Sequence, residues 1–119
     1  MDTFQATLAR LGDLHDARVD AIVWDIAAGT LEFKIADIYA NLTGFPSYPG
    51  PVAASIILRD ISDVAFDVDS ATRDQYISGF SVSEAGGVWS AAVFLRASGK
   101  ITAALRSADF PDVPAGLVE

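Results

Sequence analysis

One histidine, no cysteine and 16 acidic residues narrow the chemistry open to this chain. The histidine stands in Leu14-His15-Asp16-Ala17, where a helical pattern gives way to a strand pattern. A histidine beside an acid is the raw material of a general base or a metal ligand. Adjacent strand residues point to opposite faces, however, so the two are expected not to pair directly, and catalysis would need a partner from elsewhere. The serines and aspartates show neither nucleophile-elbow nor triad spacing. The residue types favour a structural role for His15 and Asp16, the ring bonding a backbone group at the helix-to-strand junction, with His15→Asn lowering stability.

A second set of candidates is acidic. Asp60, Asp63, Asp67, Asp69 and Asp74 cluster in sequence, and Asp63, Asp67 and Asp69 share one face of an alternating segment. Carboxylates so spaced could hold calcium, but Asp67-Val68-Asp69-Ser70-Ala71 lacks the third ligand and the glycine of a calcium loop. Acids on the wet face of a strand also discourage edge-to-edge aggregation, or complement a basic partner. Neither metal nor cofactor is expected. A third set is aromatic: Tyr39, Phe45 and Tyr48 flank a loop from Asn41 to Pro51 that carries Pro46, Pro49, Gly50 and Pro51. Such side chains anchor interfaces or fold back over the core. The candidate interaction surface is therefore Asp63, Asp67, Asp69, Phe45 and Tyr48.

The elements that must position these groups follow from periodicity. Phe4, Leu8 and Leu11 form one apolar stripe of a helix, with Asp2 as N-cap, Gln5 completing a capping box and Gly12 as the stop. From Ala17 onward the period is two. Leu31, Phe33 and Ile35 point inward between Glu32 and Lys34; Val64, Phe66 and Val68 do so between acids; Ile101, Ala103 and Leu105 share another face. Ala27-Ala28-Gly29, Glu84-Ala85-Gly86-Gly87 and Ala97-Ser98-Gly99 supply glycine where hairpin turns need positive φ. Strands are predicted near 17–28, 30–38, 52–59, 63–69, 77–84, 87–96 and 100–107, with 52–59 and 87–96 central because both their faces are apolar. Ser70 to Tyr76 is read as a short helical stretch, and the proline-bearing tail from Phe110 as irregular.

The predicted fold is mainly β, of the α+β kind: a curved antiparallel meander of about seven strands, with barrel-like closure open, and an N-terminal helix packed against it. At 119 residues the chain fits a single domain, 1–119. The start Met1-Asp2-Thr3-Phe4 is acidic, and apolar runs such as Ala91 to Leu95 fall far short of the ~20 residues of a spanning helix, so the expectation is a cytoplasmic protein with no membrane role. A net charge of −8 argues against nucleic acid unless a basic patch exists. Arg96, Lys100 and Arg106 are too scattered to make one. Exposed strand edges leave a homodimer open.

The stretch Leu14-His15-Asp16-Ala17-Arg18-Val19, with Asp25 near the strand end, resembles small bacterial proteins in which an LHDA opening precedes an antiparallel sheet. The segment Ala54 to Val64 is similar to their strand–bend–strand, and Gly99-Lys100-Ile101 through Arg106 to Phe110 to their closing strand. Most of that group has no assigned role; some members are assigned as immunity proteins of polymorphic-toxin systems. The resemblance implies a non-enzymatic protein-binding role, the acidic chain masking a basic toxin domain, and it transfers no functional residues. Two other classes stay open on the residues: a small-ligand-binding half-barrel lined by Trp24 or Trp89, and, least favoured, an enzyme using His15 with distant carboxylates.

Overall fold

A computed structural model describes residues 1–40, 50–68, 74–96 and 98–111. It contains one helix, α1 (Asp2–Arg10), a 3-10 turn (Gly12–Leu14), and eight strands: β1 (Arg18–Asp25), β2 (Thr30–Ile35), β3 (Ala54–Arg59), β4 (Ser62–Val68), β5 (Gln75–Ala85), β6 (Val88–Leu95), β7 (Gly99–Leu105) and β8 (Ser107–Asp109). All strand pairs are antiparallel, in the order β4-β7-β6-β5-β1-β2-β3-β8.

Two meanders, β1-β2-β3 and β5-β6-β7, form the halves of this sheet. Local turn chemistry explains both. Gly86 and Gly87, at φ 60° and 81°, are the two central residues of a tight β5–β6 turn, which requires positive φ at both. Gly29, at φ 70°, closes the β1–β2 turn, where the Asp25 carboxylate accepts from the Ala28 N–H at 3.0 Å.

The halves meet at two places. Among the described residues β1 pairs with β5 through Arg18–Tyr76 and Val19–Gln75, the residues at which both strands begin. At the other end, β3 runs into β4 across Asp60-Ile61 and β7 into β8 across Arg106, so each segment serves both halves. Asp60 turns that corner at φ 51°, a left-handed conformation that aspartate tolerates better than most residues. The sheet curves strongly but is not closed: its strand order runs from β4 at one edge to β8 at the other among the described residues.

The core lies between the facing halves. Phe33 on β2 and Phe80 on β5 meet edge to face, with ring centroids 5.6 Å apart, and both are fully buried. Leu31, Ile35, Ile56, Leu58, Ile77, Val93 and Ile101 fill the remaining space. Helix α1 packs against the sheet as predicted, burying Phe4 and Leu8. It sits beside the open edge of β5, with Phe4 between Phe80 (6.4 Å) and Phe110 (5.2 Å). Gln5 is not half of a capping box: no side chain caps this helix, and the Gln5 amide instead donates to the Val82 carbonyl at 2.9 Å. An unpaired strand carbonyl is thereby satisfied, which a buried edge demands.

Three expectations change. Val64, Phe66 and Val68 share a face as predicted, but that face is only partly covered, and Phe66 is 44% exposed. Gln75 and Tyr76 open β5 instead of ending a helical stretch, whose residues 70–73 lie outside the described residues. Tyr39, taken from sequence as part of an aromatic recognition loop, is buried in the core. Burial first, and the nearby Asp37 charge second, raise its phenol above the ordinary tyrosine value. Of the remaining sequence candidates, Phe45, Tyr48 and Asp69 lie outside the described residues.

Candidate functional site

His15 and Asp16 lie before β1, in a segment with an unusual backbone. Gly12, Asp13, Leu14 and Asp16 all have positive φ, between 55° and 70°. Asp16 belongs to no regular strand, so the alternation rule that separates neighbouring side chains does not apply to it. His15 Nδ1 consequently lies 3.2 Å from Asp16 Oδ2, contrary to the expectation that the two residues would not pair. The other carboxylate oxygen of Asp16 accepts from the Arg96 guanidinium. Arg96 is held in turn by its own N–H on the Tyr76 carbonyl at 2.7 Å, and its guanidinium carbon stands 5.0 Å from the centre of the Tyr76 ring. Asp16 donates its backbone N–H to the Ile77 carbonyl at 2.8 Å.

This cluster ties the start of β1 to β5 and β6. An Asp–His pair with the far imidazole nitrogen free has the form of a general base, but His15 and Asp16 side chains are 52% and 49% exposed. Charge pairs in that much water contribute little. We therefore expect His15→Asn to change stability by less than about 0.5 kcal/mol in urea titrations. A loss above about 1 kcal/mol would restore the junction role that the sequence suggested.

Of the acidic candidates, Asp63 and Asp67 fall on β4, Asp60 precedes it and Asp74 precedes β5. Asp67 sits opposite Lys100 on β7, and Asp63 shares an open trough of about 330 Å³ with Lys100, Thr102, Ser81, Ser83 and Ser90. Asp63 and Asp67 thus both border the outer face of the sheet, although the ladder with β7 shifts register between Ser62 and Ala65, where Asp63 has φ 52°, so simple alternation does not by itself place Asp63 there. Lys100 also lies 5.5 Å from the Phe94 ring centre. Among the described residues no three His, Asp or Glu side chains are grouped to hold a metal ion.

Sequence reasoning missed the contact on the inner side of the same strand. Trp24 on β1 and Phe66 on β4 meet with ring centroids 5.5 Å apart, and each is 44% exposed. Trp24 is aligned with Leu31 and through it with Leu58, both buried; Phe66 is aligned with buried Ile101. Both rings therefore point between the halves, at a place where the halves leave an opening. Trp89, by contrast, is half-buried against the core. Hydrophobic alternation was the available signal for the direction of Phe66, but nothing local reports that Trp24 stands across from it.

No family model and no curated protein matches the chain. A solved structure described as an uncharacterized protein from Neisseria gonorrhoeae is similar in fold, with a TM-score of 0.54 over 83% of this chain and 93% of that one, at 12% identity. At that identity the likeness concerns the arrangement of strands alone. No helix among the described residues is long and apolar enough to cross a membrane.

Proposed function

We propose that this protein works by binding another protein and does no chemistry on it. The finer reading, drawn from the LHDA-type resemblance, is a cytoplasmic bacterial immunity protein that covers a basic toxin domain. One observation carries the binding reading: an edge strand that presents Asp63 and Asp67 on one face and a half-exposed Phe66 on the other. Aromatic anchors flanked by charge are the usual energetic centre of an interface. The net charge of −8 adds long-range attraction toward a cationic surface.

The test is affinity capture with the purified protein from lysate of its source organism, at low and at high salt, with mass spectrometry of what is retained. The expected result is one basic protein whose association slows and weakens as salt rises, since the Debye length contracts from about 10 Å at 0.1 M to about 3 Å at 1 M. For the finer reading, co-expression should also suppress the toxicity of that protein. Turnover of a small compound that disappears in His15→Ala would overturn the binding reading.

A further inference from the structure

We propose that the opening between β1 and β4 is a docking groove for an extended basic segment of another protein. That segment adds as a strand along the free edge of β4 and seats an apolar side chain against Trp24 and Phe66. The inference deepens the protein-binding reading above and rests on it.

Backbone hydrogen bonding points to a strand as the occupant. β4 pairs only with β7, and β1 has no partner on its β5 side beyond Val19, among the described residues. Each edge therefore offers a row of backbone donors and acceptors, which an added strand satisfies and a docked helix does not. The protein treats its other opening differently. Beside β5 and Phe110, helix α1 covers the gap, Phe4 is 5% exposed, and Gln5 bonds the Val82 carbonyl. Among the described residues no helix covers the β1–β4 opening in this way, and its two rings remain 44% exposed.

Charge selects the kind of strand. An added strand places its side chains directly beside those of β4, alternating between the two faces. On the inner face its neighbours are Phe66 and Val68, which call for apolar residues. On the outer face they are Asp63 and Asp67, with only Lys100 opposing Asp67 from the β7 side. These carboxylates call for lysine or arginine at alternate positions. A second copy of this chain fits poorly. It would bring its own Asp63 and Asp67 to the same edge, and like charges brought side by side there are destabilising.

The probe is a synthetic decapeptide alternating lysine with valine, compared with its glutamate–valine counterpart. Binding is followed by calorimetry, and its location by amide chemical shifts and hydrogen exchange of the full chain. We expect the lysine peptide to bind and to slow exchange along β4. Affinity should fall at least tenfold in Phe66→Ser and in Asp63→Asn/Asp67→Asn, and the glutamate peptide should not bind. Phe66 is half-exposed, so its variant is expected to fold, and circular dichroism checks this. The groove is overturned if shifts map elsewhere, if Phe66→Ser binds as wild type does, if the glutamate peptide binds equally, or if the protein alone dimerises through β4. A partner captured from lysate and still held by Phe66→Ser would sink the groove while leaving the binding reading intact. Peptide protection of β4 with no protein partner would leave the groove standing and remove the immunity reading.

Discussion

Truncating Phe80 to alanine is expected to remove about 3–5 kcal/mol of stability, much of the ~5–15 kcal/mol that holds a domain of this size together. Phe80 is 1% exposed and touches aromatic rings from two other elements, Phe33 on β2 and Phe4 on α1. Phe33 cannot slide into the vacated volume without disturbing its ladders with β1 and β3, so the void adds to the lost transfer free energy. Loosening Phe4 also loosens the helix that covers the β5 edge. The variant should therefore show a lower urea midpoint and faster hydrogen exchange at Val82 and its neighbours. Phe66→Ala sets the scale from the other side. Its ring contacts Trp24 at the surface, where an aromatic pair contributes about 0.5–1.5 kcal/mol beyond area burial. If Phe80→Ala lost under about 1 kcal/mol, the two halves would not be packed through this ring.

The second large effect is expected at Gly99, which opens β7 with φ at 148°. L residues rarely adopt this conformation, and holding one there costs about 1–3 kcal/mol. A Cβ added at Gly99 would also lie 3.3 Å from both Cβ and Cδ1 of Leu95, a core side chain at 4% exposure with little freedom to retreat. Gly86→Ala separates the two contributions. Gly86 has φ at 60°, and nothing lies within 4 Å of its added Cβ, so only conformational cost remains there. Gly99→Ala should be the more destabilising substitution in parallel urea titrations. Equal losses would mean that Leu95 gives way freely and that conformation alone makes Gly99 necessary.

Much of the architecture is legible in the chain because each signal acts over a few residues. The stripe Phe4, Leu8, Leu11 is buried as predicted, as are Leu31, Phe33 and Ile35 on β2 and Ile101, Ala103 and Leu105 on β7. The glycines at 29, 86, 87 and 99 all have positive φ. Alternation and turn chemistry are properties of neighbours, so they survive whatever the rest of the fold does. The predicted seventh strand is divided: β7 ends at Leu105, and after Arg106 the short β8 pairs with β3 in the other half. Apolar pattern alone does not report such a change of partner.

The candidate sites were less legible, for a different reason. A period of two states which residues share a face, as it does for Leu31, Phe33 and Ile35, although on β4 a register shift between Ser62 and Ala65 interrupts it. It does not state whether anything covers that face, because the cover comes from elements remote in sequence. Phe66 stays half-exposed on the edge strand β4, where its ring meets Trp24 of β1, 42 positions away in the chain. Gln5 reads as a capping residue until Val82, 77 positions away, offers a carbonyl at the β5 edge. Arg96 looks like a scattered cation until folding sets it against Asp16, 80 positions distant. The chain by itself determined its strands, its turns and which side chains face inward, since those follow from local sterics and from the cost of wetting apolar surface. Only the tertiary structure decided which edges stay open and which charges meet, since both depend on where the two halves stop touching.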